Sequence, residues 1–162
     1  MKISTRSEYG IRLLLVLARS DGTAPLSLSQ IAQVEKLPHD YLEQLVGDLR
    51  RAELITASRG QSGGYRLGRP AADISVADVV RAVEGSLMEM PCAGTATLEA
   101  CDRPQPCSVH DVYQRLFESM AGALGSSTLA ELAASAGGPP YPVEVRRRVR
   151  AASNASPSHP NS

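Results

Sequence analysis

Tryptophan is absent from this chain, phenylalanine occurs once, and aromatic residues amount to 4% of the sequence. Whatever core it buries is therefore aliphatic. Cysteine is scarce as well. There are three, an odd number, which argues against a paired disulfide framework. No apolar run approaches the roughly 18 residues that a membrane helix needs, and no secretory leader stands at the front. Met1 leads through Lys2, Ile3 and Ser4 straight into a helical pattern, so the expectation is a cytoplasmic protein with no membrane partner. Paired carboxylates, a nucleophile with its base and a nucleotide loop are all missing, which speaks against an enzyme.

Net charge is lacking too, with 17 Lys and Arg against 17 Asp and Glu, but the zero conceals a segregation. Residues 1–70 carry ten cations and seven anions, residues 71–136 three and nine, and residues 137–162 four and one. A basic front end suits an anionic partner such as nucleic acid, although an excess of three is small. At 162 residues, with 43% hydrophobic and 21% charged residues, the chain suits one globular domain with an appendage, or two small lobes.

In chain order, Ser4 or Thr5 caps a first helix whose apolar positions run to about Ser20, and Asp21-Gly22 breaks it. A second helix spans Leu28 to about Glu35. Pro38, suited to a first helical turn, opens a third, PHDYLEQLVGDLRRAEL, with Tyr41, Leu42, Leu45, Val46 and Leu49 at helical spacing. Two short helices joined by a tight turn form a helix-turn-helix, in which the start of the second helix meets base edges. Its polar residues there include His39, Asp40, Glu43 and Gln44. Two short strands, Ile55–Ser58 and Tyr65–Leu67, then flank the glycine-rich Arg59-Gly60-Gln61-Ser62-Gly63-Gly64, giving a hairpin wing. Glycine lets backbone approach a phosphate or enter a narrow groove, and Arg59, Arg66 and Arg69 supply charge. The same run lacks the Lys-Ser/Thr ending of a nucleotide phosphate loop, and no helix follows its glycines.

These segments together, KISTRSEYGIR at the front, YLEQL at 41–45 and RGQSGGYRL at 59–67, resemble the IscR-type winged-helix regulators of the Rrf family. The family's wing pattern, Arg-Gly-x-x-Gly-Gly-Tyr, is met at Arg59, Gly60, Gly63, Gly64 and Tyr65, and the resemblance runs from residue 1 to about 135. It implies a dimeric bacterial transcription factor, many of whose relatives sense through an iron–sulfur cluster.

Beyond the wing, Ser75 to Glu84 forms a capped amphipathic helix ending at Gly85, its valines facing the core. A long helix from Ser108 to about Leu124 carries Val109, Val112, Tyr113, Leu116, Phe117, Met120 and Leu124 on one stripe. Standing beyond an already complete small domain, that stripe suits a second copy of the chain. Thr128 and Glu131 form a capping box for a short last helix.

All three cysteines lie between these helices, in the spacing C-x8-C-x5-C-x2-H from Cys92 through Cys101 and Cys107 to His110. Thiolates are soft donors suited to an iron–sulfur cluster, zinc or copper(I). Structural zinc sites favour two tight knuckles, and here only Cys107 and His110 have that spacing. Unequal spans fit a cluster better, and the family resemblance, which places three cysteines in this loop, favours it further; zinc is the alternative. The first spacer is longer than in the best-known relatives, so nuclearity stays open, with 2Fe–2S taken ahead of 4Fe–4S. His110 is the first candidate for a fourth ligand. Glu8 is the second, because some relatives supply an acidic ligand from that position of the first helix; otherwise it is a surface carboxylate favoured by the helix dipole.

The expectation is thus a mainly α protein with a small β-wing. It comprises a winged helix-turn-helix head (1–85), a cysteine loop (86–107), a dimerisation helix with a short packing helix (108–136) and a disordered basic, Pro/Ser-rich tail (137–162). It would act mostly as a repressor. Pro38, His39, Tyr41, Glu43 and Gln44 are the groove-facing candidates on the third helix, and Arg59, Gly60, Gly63, Gly64 and Tyr65 those of the wing. The partners are a double-stranded DNA operator and a second copy of the chain. A change at the cluster would reorder the loop and shift the two heads. The alternative is a winged-helix repressor with structural zinc or no metal, regulated by a protein or small-molecule partner.

Overall fold

The computed structural model describes residues 4–20, 24–60, 63–87 and 108–135. The expectations for Cys92, Cys101 and Cys107, and for the tail from Gly137, lie outside these residues.

Local chemistry sets most helix ends. α1 (Thr5–Arg19) starts where the Ser4 hydroxyl accepts from the Ser7 amide at 3.1 Å. α2 (Leu28–Glu35) opens on a capping box. The Ser27 hydroxyl accepts from the Gln30 amide, and the Gln30 side chain accepts from the Ser27 amide at 2.7 Å. α4 (Val76–Glu84) repeats the device with Ser75 and Asp78. Each such cap contributes about 1 kcal/mol and satisfies amides that the helix itself leaves unpaired.

α3 (His39–Arg51) differs from its sequence reading at both ends. Pro38 occupies the N-cap in extended conformation (φ −62°, ψ 126°) rather than the first turn, and with no side-chain donor or acceptor it caps nothing. The helix also stops three residues short of Leu54. Glu53 turns into the left-handed region at φ 57°, and the Leu54 amide reaches back to the Leu49 carbonyl at 2.9 Å. Leu54 is buried as a consequence, at the root of the hairpin.

That hairpin pairs β1 (Ile55–Ser58) with β2 (Gly64–Leu67), antiparallel, in the register Ile55 with Leu67 and Ser58 with Gly64. A third backbone segment joins it. Leu26 exchanges both hydrogen bonds with Tyr65, its amide donating at 3.0 Å and its carbonyl accepting at 2.8 Å. Gly64 makes this approach possible, because a β-carbon there would stand 2.5 Å from the Leu26 carbonyl oxygen.

The core is aliphatic. Leu13, Leu14 and Val16 of α1, Ile31 of α2, and Leu42, Leu45 and Leu49 of α3 are fully buried, as are Ile74, Val79 of α4 and Leu129. Each such side chain contributes about 1.5–3 kcal/mol of hydrophobic stabilisation before chain entropy is set against it. Tyr9, Tyr41 and Tyr65 pack only at the edge of this cluster.

α5 (Ser108–Ser126) packs along α4, and α6 (Leu129–Ser135) returns to α1. The turn between them is tied down by backbone bonds. The Val76 amide donates to the Ser127 carbonyl at 2.8 Å and the Leu129 amide to the Ile74 carbonyl at 2.9 Å. Thr128 and Glu131 form the capping box that the sequence announces. On α5, Val109, Val112 and Leu116 are 46%, 55% and 42% exposed, an apolar strip at helical spacing. A mainly helical chain with a two-stranded wing is what the sequence leads one to expect, and it is what the structure has.

Candidate nucleic-acid interface and sensor residues

The α2–α3 turn is set by Lys36, in left-handed conformation at φ 54°, and by Leu37, whose buried side chain pins the turn to the core. α3 then divides cleanly. Leu42, Leu45, Val46 and Leu49 face inward, while Asp40, Glu43, Gln44, Gly47 and Arg50 are exposed. The division follows from the 3.6-residue period, which puts i, i+3, i+4 and i+7 on one side.

Charge is graded along the helix. Acidic side chains occupy the first two turns, where the dipole favours them, and Arg50 and Arg51 the last. His39 Nδ1 lies 3.6 Å from the Glu43 carboxylate. The donor atoms of His39, Asp40 and Glu43 fall within 4.8 Å of one another, and nothing beyond this helix-start clustering points to a metal there. Tyr41 is half-buried, its ring edge-on to Tyr9 with centroids 5.3 Å apart, so packing limits what it offers to a partner. Glu43 and Gln44 are open to solvent.

The wing follows α3 directly. Arg59 and Gly60 are exposed at the start of its tip, and Gly60 takes φ 113°, a conformation that L side chains rarely adopt. The Gly63 amide closes the tip onto the Gly60 carbonyl at 2.9 Å. Gly64 and Tyr65 lie in the strand, half-buried under Leu26. They support the wing rather than project from it. Arg66 is exposed. Arg69 is committed elsewhere, to Asp78 of α4 at 3.0 Å.

Of the sensor candidates, two are described. His110 is half-buried on the first turn of α5. Glu8 is solvent-exposed in the first turn of α1, with its carboxylate 3.4 Å from Arg12. Arg12 is held mainly by α2, donating through Nε to the Glu35 carboxylate at 2.9 Å and through Nη2 to the Glu35 carbonyl at 2.8 Å. The hydrogen bond with Glu35 raises the guanidinium's pKa, burial opposes it, and the Glu35 and Glu8 charges add to the rise.

The polar ties between helices carry no signal in the sequence. Arg6 of α1 binds Asp48 of α3, and Ser4 and Ser7 bind Glu84 of α4. Read singly, each of these residues looks like an ordinary helix-surface side chain.

Comparison with known proteins gives this arrangement a context. A family described as "Rrf2: Iron-dependent Transcriptional regulator" matches residues 3–135. "Protein rrf2" of Nitratidesulfovibrio vulgaris is 39% identical over 132 residues, covering 82% of this chain and 87% of that one. The structure of CymR, the global cysteine regulator of B. subtilis, superposes with a TM-score of 0.68 at 36% identity, covering 83% of this chain and 97% of the other. That of T. potens IscR gives 0.69 at 34% identity, covering 84% and 88%. With its helix-turn-helix, its wing and these relatives in view, the chain belongs to the Rrf2 family of DNA-binding transcriptional regulators.

Proposed function

We propose that this regulator is a homodimeric, operator-specific repressor whose DNA binding is governed by an iron–sulfur cluster at Cys92, Cys101 and Cys107. The observation that carries the DNA half is the exposed edge of α3, continued directly by the wing. Glu43, Gln44 and His39 face outward from the first turns of α3. Glutamine pairs with adenine in the major groove, and a carboxylate accepts from the cytosine amino group. An acidic helix start repels phosphate, so it enters a groove favourably only where base donors meet it. Arg50 and Arg51 at the end of α3 and Arg59 at the wing supply the opposite sign. The apolar strip of Val109, Val112 and Leu116 supports the dimer, since a second copy covers it symmetrically.

The sensing half rests on donor chemistry. Three soft thiols and an imidazole, all within residues 92–110, suit iron and sulfide. Bound there, a cluster supplies a redox-labile crosslink. The chain's own residues do the rest: Cys107 and His110, three positions apart in sequence, would link that crosslink to the start of α5, and α5 bears the dimer strip. Glu8 is the competing fourth ligand, from α1. Family membership leaves the signal open, because the relatives include the global cysteine regulator of B. subtilis.

Anaerobic purification tests the reading. The expected protein is brown, with iron and acid-labile sulfide in matching amounts, and its operator affinity changes when the cluster is removed. Mössbauer spectra then distinguish 2Fe–2S from 4Fe–4S. His110→Ala should lower cluster content more than Glu8→Gln does; the reverse order transfers the ligand role to Glu8. A second reading is favoured by the Cys107-x2-His110 knuckle, which is zinc spacing. Colourless protein with one zinc per chain selects it.

A further inference from the structure

The last turn of α4 is held by the first turn of α1 through two separate sets of bonds. Ser4 and Ser7 both donate their hydroxyls to the same Glu84 carboxylate oxygen, Ser7 at 2.9 Å and from a position only 2% exposed. One residue earlier, Arg6 Nε donates to the Val83 carbonyl at 2.6 Å. The other end of the same guanidinium, Nη2, binds the Asp48 carboxylate of α3, which also receives Arg51 at 2.8 Å. Arg6 and Asp48 are shielded, with side chains 32% and 20% exposed. A single planar group therefore spans the end of α4 and the last turn of α3.

The end of α4 is also where the chain departs toward the cysteines. Gly85 terminates the helix at φ 84°, and Cys92 follows seven positions later. Val83 contributes one of the terminal carbonyls that a helix cannot satisfy itself, so its partner reports directly on where that helix end sits.

We propose that Arg6 and Asp48 form the connection through which the state of the cysteine segment sets the pose of α3 on DNA. This rests on the sensing reading above. A guanidinium presents its donors in a rigid fork. A shift of the Val83 carbonyl therefore obliges the plane to turn, and the Nη2 edge leaves the Asp48 carboxylate or takes α3 with it. The Ser4–Ser7–Glu84 bonds make the coupling tighter, because they bind the backbone that carries Arg6 to the same α4 turn. Arg6 and Asp48 are positioning residues; neither needs to touch a base.

The test uses full-length protein and a DNA duplex selected by the wild type from a random-sequence pool. Affinity is measured for anaerobically purified protein and for the same protein stripped and alkylated at its three cysteines with iodoacetamide. For the wild type the ratio of the two affinities should lie in the usual allosteric range, about 5–150-fold. Arg6→Gln and the isosteric Asp48→Asn should each bring it to within about twofold, and the double variant should lose no more than either alone, as expected of residues acting as one unit. Arg6→Lys should fail as well, since an ammonium cannot serve both partners. Folding of each variant is checked by thermal unfolding, and Asp48→Asn decides the matter if Arg6 variants unfold. A ratio that persists in Asp48→Asn, or losses that add in the double variant, overturns the connection while leaving the sensing reading standing. A wild-type ratio of one overturns the sensing reading and the connection with it.

Discussion

The backbones of Leu26 and Tyr65 are bonded to each other in both directions, at 2.8 and 3.0 Å, across the hydrogen face of Gly64. The wing is therefore not a free hairpin but the outer part of a small sheet whose third member comes from before α2. Two isolated strands are marginal in water, and this extra pairing anchors them. Gly64→Ala should strike the Leu26 carbonyl and destabilise the head by about 1–3 kcal/mol. For a unit of this size that lowers the melting temperature by roughly 2–8 °C per kcal/mol. Calorimetry finding Gly64→Ala as stable as wild type would mean that the close approach does not persist in solution.

Adjacent residues on α3 should respond in opposite ways. Leu45 is fully buried and Gln44 exposed. Leu45→Ala should cost about 2–5 kcal/mol of stability through lost burial and the cavity left behind. Gln44→Ala should leave stability within about 0.5 kcal/mol and weaken the selected duplex by about 1–3 kcal/mol, with little change on random DNA. Equal weakening on both DNAs would demote Gln44 to a backbone contact.

Arg59 stands at the entrance to the wing tip, exposed. If it meets phosphate or a narrow groove, Arg59→Ala should reduce the slope of log affinity against log salt by about one. Fluorescence anisotropy over a range of potassium chloride concentrations gives that slope, and an unaltered value removes Arg59 from the contact surface.

Val112, more than half exposed, lies at the centre of the apolar strip on α5. In the proposed dimer a carboxylate there would face its own copy across a two-fold axis. Val112→Glu should weaken self-association by at least about tenfold, or 1.4 kcal/mol, while the head keeps its melting behaviour. Analytical ultracentrifugation provides the measurement; a dimer unchanged in strength would locate the interface elsewhere.

The sequence conveys the helices well because their signals are local. Ser27 with Gln30, Ser75 with Asp78 and Thr128 with Glu131 are short-range caps, and each forms. The inward side of α3 follows from period alone. The misjudged points are those where a distant partner decides. α3 was expected to reach Leu54, since Ala52, Glu53 and Leu54 suit a helix, but Leu54 is needed at the root of the hairpin and Glu53 turns left-handed to place it there. Leu26 joins the sheet without any alternating pattern, because a single pair of bonds needs none. Arg6, Asp48 and Glu84 are polar residues on helices, and only the packing of α1 against α3 and α4 reveals them as partners. The Arg69–Asp78 pair is likewise invisible in the sequence, for the same reason.

Leu129 is fully buried among side chains that come mostly from the first half of the chain, and the turn before it is bonded to Ile74 and Val76. The C-terminal end of α5 is thus moored to the head. Its other end, at Ser108, lies about 27 Å distant by helical rise. That far end holds His110 and the exposed Val109 and Val112. A rotation of α5 about its moored end would displace most the end that follows the cysteines in sequence and bears the strip proposed for the second copy. The burial of one leucine near the end of the described residues thus fixes which end of α5 has the longer reach.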